Sequence, residues 1–164
     1  MSDEEKAYIA GFLDGDGSIM AQLVVRKDYK LRYQIRISMV FYQKTRHQDF
    51  LFWLKEQLGY GYIRHRSDGM TEYTIVGIRE VEFVLKLLIP FLRLKQELAK
   101  AVLDLIKNYP PQRKMTPRKL LKLSRIVDET AKFNYSKKRS RTSAEVEQFL
   151  LKNHLITPVS TESD

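Results

Sequence analysis

Over residues 32–41 the chain alternates, with Tyr33, Ile35, Ile37, Met39 and Phe41 apolar and Arg32, Gln34, Arg36 and Ser38 between them, Val40 being the one apolar break. A period of two puts those sets on opposite faces of an extended strand, one face buried and the other open. Residues 18–26 repeat the pattern, with Ile19, Ala21, Leu23 and Val25 facing one way and Gln22, Val24 and Arg26 the other. A polar turn at 27–30 joins the two runs, so a long antiparallel hairpin is expected. A second hairpin is expected from 60–66 and 72–76 around Ser67-Asp-Gly69, with Tyr62, Arg64, Arg66, Glu72 and Thr74 on its polar side.

Helical signals frame these hairpins. Ser2 with Glu5 fits a capping box, and Ala7, Ile9, Ala10, Phe12 and Leu13 line the helix it opens until Asp14-Gly-Asp-Gly17 stops it. Thr45 with Gln48 reads as a second box before Phe50, Leu51, Trp53, Leu54 and Leu58, and Gly59 supplies the stop. Further helices are expected at 79–89, 94–109 and 117–132, and a last one opens at the box Thr142–Glu145. The class is α+β, with element order αββαββ followed by C-terminal helices. One domain over 1–156 is expected, with a disordered polar tail at 157–164.

The formal net charge of +9 favours a polyanionic partner. Between Gln112 and Arg141 eleven basic residues stand against Asp128 and Glu129, a surplus of nine that equals the whole net charge. The chain has no cysteine and only three scattered histidines, so any metal is expected on oxygen ligands. The apolar run near Val84–Leu92 is interrupted by Lys86 and Pro90, too short to span a bilayer, and the acidic start is unlike a targeting peptide. Neither a membrane nor a small-molecule substrate is expected as a partner.

Two carboxylates within three residues at a helix C-terminus sit at the negative end of the helix dipole, beside carbonyls without intrahelical partners. A hard divalent cation would relieve that placement. Asp-Gly-Asp-Gly also reads as a plain turn. A calcium loop of EF-hand type fails, because its required glycine and glutamate positions hold Ile19 and Val25. Ala7, Ala10 and Gly11 are small enough to admit a second helix, and glycine in mid-helix costs about 1 kcal/mol against alanine. Packing against a copy of itself would offset that cost and set two Asp16 residues side by side.

The segment Tyr8-Ile-Ala-Gly-Phe-Leu-Asp-Gly-Asp-Gly-Ser18 closely resembles the LAGLIDADG motif of homing endonucleases. The single motif, the helix and hairpin order, Gln43-Lys-Thr45 and Pro90-Phe-Leu-Arg-Leu-Lys95 resemble the homodimeric, group I intron-encoded members over residues 5–150. The resemblance implies a saddle-shaped, DNA-binding four-stranded sheet and a dimer joined at Ala7, Ala10, Gly11 and Asp14. It implies metal, Mg²⁺ with Mn²⁺ able to substitute, held by Asp16 and the Gly15 carbonyl, with Asp14 shaping the helix end. Gln43 would organise water and Lys95 would stabilise charge on the phosphate. A basic residue usually stands four positions after that glutamine; here the place holds His47, with Arg46 before it, and either could serve.

The implied reaction is hydrolysis of both strands across the minor groove by metal-activated water, leaving short 3′ overhangs on a long pseudo-palindromic duplex. Gln22, Val24, Arg26, Arg32, Gln34, Arg36, Ser38, Tyr62, Arg64, Arg66, Glu72 and Thr74 would read bases, their donors, acceptors and methyls matching major-groove edges. The basic stretch 113–141, with Lys137, Lys138, Arg139 and Arg141 between helices, would hold phosphates. An organellar setting, in chloroplast or mitochondrion, is the family's common one. The rival readings are a maturase or a regulator that keeps the fold without cleaving, or an unrelated basic α+β protein.

Overall fold

The first helix, α1 (Asp3–Asp16), starts where its box predicts: the Glu5 N–H donates to Ser2 Oγ at 3.2 Å and the Ser2 N–H to the Glu5 carboxylate at 2.8 Å. Its end runs directly into a strand. Gly17 makes this possible, because a Cβ there would lie 2.6 Å from Leu13 Cδ1 and 3.0 Å from the Leu13 backbone. The computed structural model describes residues 1–111, 114–133 and 141–157.

Strands β1 (Gly17–Val25), β2 (Tyr33–Lys44), β3 (Tyr62–His65) and β4 (Met70–Val76) form one antiparallel sheet in the order β1-β2-β4-β3. Helix α2 (Asp49–Leu58) lies between the hairpins and stops at Gly59, whose φ of 77° is open to glycine without steric cost. Helices α3 (Ile78–Leu88), α4 (Gln96–Lys107), α5 (Pro117–Thr130) and α6 (Ser143–Lys152) follow. The expected order αββαββ followed by helices is the observed one.

Period two sorts the sheet as expected. Ile19, Leu23, Tyr33, Ile35, Ile37, Met39, Phe41, Tyr73 and Ile75 are buried with α1, α3, α4 and α5 in one continuous core. The opposite face is open. By register it carries Met20, Gln22 and Val24 of β1, Gln34, Arg36, Ser38, Val40, Tyr42 and Lys44 of β2, Glu72 and Thr74 of β4, and Tyr62 and Arg64 of β3.

Four local expectations are corrected. The Thr45–Gln48 box does not form: residues 45–47 make a 3₁₀ turn, Gln48 at the N-cap makes no capping bond, and Thr45 Oγ1 pairs with Thr71 Oγ1 at 3.0 Å. Arg32 is not on the strand. It sits in the turn at a φ of 60°, with its guanidinium 5.8 Å from the centre of the Phe149 ring. Ala10 is fully buried in its own core, so the exposed small stripe of α1 is Ala7, Gly11 and Gly15. Asp14 is buried as well, its carboxylate taken up by the backbone N–H groups of Arg93, Leu94 and Lys95.

Candidate metal centre and nucleic-acid interface

The two carboxylates of the acidic turn have different fates. Asp14, 8% exposed, accepts three backbone N–H groups: Arg93 at 2.7 Å, Leu94 at 3.1 Å and Lys95 at 2.9 Å. These N–H groups lead into α4, whose N-cap is Lys95, so Asp14 places negative charge where a helix N-terminus favours it. Lys95 answers from the other side, its ammonium donating to the Asp14 backbone carbonyl at the C-terminus of α1. Two helix ends thus exchange opposite charges. Partial burial lowers the Lys95 pKa from its ordinary value, opposed by the charges of Asp14 and Asp16.

Asp16 is exposed and takes part in no hydrogen bond or ion pair among the described residues. The carbonyls before it are spoken for, Leu13 O by the Gly17 N–H and Asp14 O by Lys95, and the exposed Gly15 carries the next one. Gly17 pairs with Phe41, so β2 runs on past the end of α1 and sets Gln43 two residues, about 7 Å, further along the side that packs on α1. The Gln43 side-chain oxygen accepts from the Lys44 N–H at 2.9 Å. Asp16, the Gly15 carbonyl, Gln43 and Lys95 therefore gather around one helix end. All the candidate metal donors there are hard oxygens, the kind Mg²⁺ or Ca²⁺ accepts. Among the described residues no group of three or more histidines and carboxylates could hold a metal by itself, so one chain offers a single free carboxylate at this point.

Arg46 and His47 lie in the exposed 3₁₀ turn after β2, where Arg46 Nε donates to His47 Nε2 at 3.1 Å. The two candidates for the basic position are joined to each other.

On the open face, Gln22 stands opposite Arg36 and Val24 opposite Gln34, while Arg26 bonds both Gln34 (3.2 Å) and Asp28 (2.8 Å). Ser38 and Thr74 belong to this face but are 1% and 5% exposed, covered by their neighbours. Glu72, expected to read a base, is spent within the chain. Its Oε2 accepts from Arg64 at 2.7 and 3.1 Å and its Oε1 from Arg66 at 2.9 Å, while Arg66 also reaches Asp68 at 2.6 Å. Tyr42, Glu72's cross-strand neighbour, is half-buried in this cluster, and desolvation raises the pKa of its phenol. Met20, Val40, Tyr42 and Lys44 are face residues beyond those expected, although the same alternation, carried three residues past Phe41, would have reached Tyr42 and Lys44. Arg141 precedes α6 and lies 3.7 Å from Glu145. Lys137, Lys138 and Arg139 lie outside the described residues.

The comparisons with known proteins agree with one another. The LAGLIDADG endonuclease family model matches residues 9–109. The chain is 38% identical over 146 residues to the DNA endonuclease I-CvuI of Chlorella vulgaris, covering 89% of each. It is 39% identical over 143 residues to the DNA endonuclease I-CreI of Chlamydomonas reinhardtii, covering 87% of this chain and 86% of that one. The crystal structure of I-CvuI in complex with its target in the presence of calcium matches with a TM-score of 0.88 at 36% identity, over 94% of this chain and 97% of that one. The archaeal intron-encoded homing endonuclease I-Vdi141I, complexed with DNA, shares the fold at 18% identity with a TM-score of 0.81, over 94% and 99%. On the motif, the sheet and this likeness along nearly the whole chain, the protein belongs to the LAGLIDADG endonuclease family.

Proposed function

We propose that two copies of this chain form a site-specific homing endonuclease that hydrolyses both strands of a long pseudo-palindromic DNA duplex with a divalent metal, leaving short 3′ overhangs. The divided fate of the acidic turn carries the reading: Asp14 is fully engaged, while Asp16 presents an exposed carboxylate without a partner beside Lys95. Crystal structures of I-CvuI bound to DNA in the presence of calcium and of magnesium support a divalent ion. Mg²⁺ is the proposed ion, with Mn²⁺ able to replace it, held by Asp16 and the Gly15 carbonyl. When bound, it would supply Lewis-acid stabilisation of phosphate charge and activate water.

The chain's own residues then divide the work. Lys95, already fixed by the α1 terminus, offsets negative charge on the scissile phosphate. Gln43 orders water at that phosphate, and the joined Arg46 and His47 extend the polar network away from the metal. One exposed, unbonded carboxylate at the end of α1 in each chain accounts for the dimer, since a duplex with two strands to cut requires a second copy. The exposed stripe Ala7, Gly11 and Gly15 is where α1 would meet its copy, for nothing lies within 4 Å of a Cβ built on either glycine. The open face reads base edges, with Gln22, Arg26, Gln34, Arg36, Arg64 and Arg66 as donors and acceptors. Arg141, with Lys137, Lys138 and Arg139, holds phosphates. An organellar setting completes the proposal, supported by relatives from Chlorella and Chlamydomonas.

The test is cleavage of a randomised library of long duplexes in Mg²⁺. Breaks confined to one family of related sites, lost on chelation, are the expected outcome. Binding without breaks would favour the maturase or regulator instead.

Glu72 acts in this reading by positioning Arg64 and Arg66 before DNA arrives. Glu72→Gln removes the charge that both guanidiniums share. Discrimination at the base pairs they read is expected to fall about tenfold, within the range of about 1–3 kcal/mol that one bidentate contact supplies. Affinity for the preferred site is expected to change much less, since the phosphate contacts remain. Profiling cleavage across single-base variants of the site checks this, and an unchanged profile would return Glu72 to a purely structural role.

A further inference from the structure

Thr71 of β4 is completely buried, yet its hydroxyl meets two polar side chains. Thr45 Oγ1 lies 3.0 Å from Thr71 Oγ1, and Nδ1 of the exposed His65 lies 3.1 Å from it. Register explains the meeting. Thr71 stands opposite Gln43 of β2 and opposite His65 of β3, so the three form one row across the sheet, on the face that carries the buried Phe41 and Tyr73. A hydroxyl carries one hydrogen, so Thr71 bonds both neighbours only by donating to one and accepting from the other. His65, Thr71 and Thr45 are thus linked as a directed chain.

The far end of that chain is the turn that bears Arg46 and His47. Among the described residues these two side chains bond only each other, so their place is set by the backbone of the turn. Two hydrogen bonds tie this turn to the β3–β4 hairpin, and Thr45 makes both. Its N–H donates to the Gly69 carbonyl at 2.9 Å, and its hydroxyl pairs with Thr71. Gln43, two residues before Thr45, is Thr71's cross-strand neighbour. We infer that Thr71 is a positioning residue for cleavage, holding through Thr45 the turn of Arg46 and His47 and the end of β2 that bears Gln43, a role that rests on the site proposed above. The anchor belongs to the hairpin whose other face carries Glu72 with Arg64 and Arg66, so one element sets both the reading side chains and the turn. Bonds that merely satisfied a buried hydroxyl would matter to stability alone.

Thr71→Val keeps the branched shape and removes both bonds, while Thr71→Ser keeps the hydroxyl. Each full-length variant is assayed below its Tm for single-turnover cleavage of the preferred duplex in Mg²⁺ and for binding of that duplex in Ca²⁺. Cleavage by T71V is expected to be at least about tenfold slower, with binding within about twofold of the parent, and T71S to recover the rate to within about threefold. Thr45→Val cuts the same bond from the half-buried side. The double variant is expected to be no slower than T71V, because the two side chains act through one contact. Circular dichroism checks each fold, and if T71V does not fold, the same loss of rate with binding intact is required of T45V. A rate within about twofold of the parent in the folded valine variant would overturn the positioning role and leave the endonuclease standing. So would a loss that T71S does not recover, or losses in T45V and T71V that multiply in the double variant. A parent that cuts no duplex would overturn the endonuclease reading itself, and this role with it.

Discussion

Asp16→Asn is expected to slow double-strand cleavage at least about a thousandfold, equivalent to several kcal/mol of lost transition-state stabilisation. The substitution keeps size and shape and removes the formal charge, leaving a weak amide oxygen where the metal needs a carboxylate. The fold should be indifferent. Asp16 is exposed and partners no donor among the described residues, and such surface changes fall within about 0.5 kcal/mol of neutral. Duplex binding measured in Ca²⁺ is expected to hold or tighten slightly, because a negative charge close to phosphate has been taken away. Paired measurements of cleavage in Mg²⁺ and binding in Ca²⁺ therefore separate a metal ligand from a structural residue. Cleavage surviving within tenfold of the parent would sink the assignment.

What could be read from the chain alone was what repeats locally. Alternation over 18–26 and 33–41 identified both strands and the buried face, and the Ser2–Glu5 box located the start of α1. The failures have a common cause in partners distant in sequence. Asp14's fate depends on three N–H groups some eighty residues away, and no local pattern announces them. Thr45 has a capping box in sequence, but the neighbouring strand presents Thr71 and draws its hydroxyl off. Period two assigns Glu72 to the open face correctly, yet cannot say that Arg64 and Arg66 already occupy both its oxygens. Ala7, Ala10 and Gly11 look alike as small residues. Which of them faces the core is decided by the sheet and helices packed against α1, and Ala10 went inward.

Asp14→Ala is expected to lower stability by about 3–5 kcal/mol, since hydrogen bonds to a charged acceptor are worth about 1.5–3 kcal/mol each and three are lost together. The exposure of Arg93 and Leu94 lets water recover part of that, which favours the lower end. For a chain of this size about 3 kcal/mol lowers Tm by roughly 10 °C. Asp14→Asn retains one neutral acceptor oxygen and should recover about half of the loss. The functional cost should exceed the thermal one. The carboxylate that holds the 95 N–H also sets where α4 begins and thus where the Lys95 ammonium lies, so cleavage is expected to fall more than tenfold even well below the lowered Tm. Binding, carried by the sheet and the phosphate contacts, should fall far less. Thermal melts of both variants, with cleavage and binding assayed at 20 °C below each Tm, decide the matter. A melting point within about 2 °C of the parent would mean that water replaces the carboxylate at 93–95, and that the juncture between α1 and α4 is held by Lys95 and apolar packing instead.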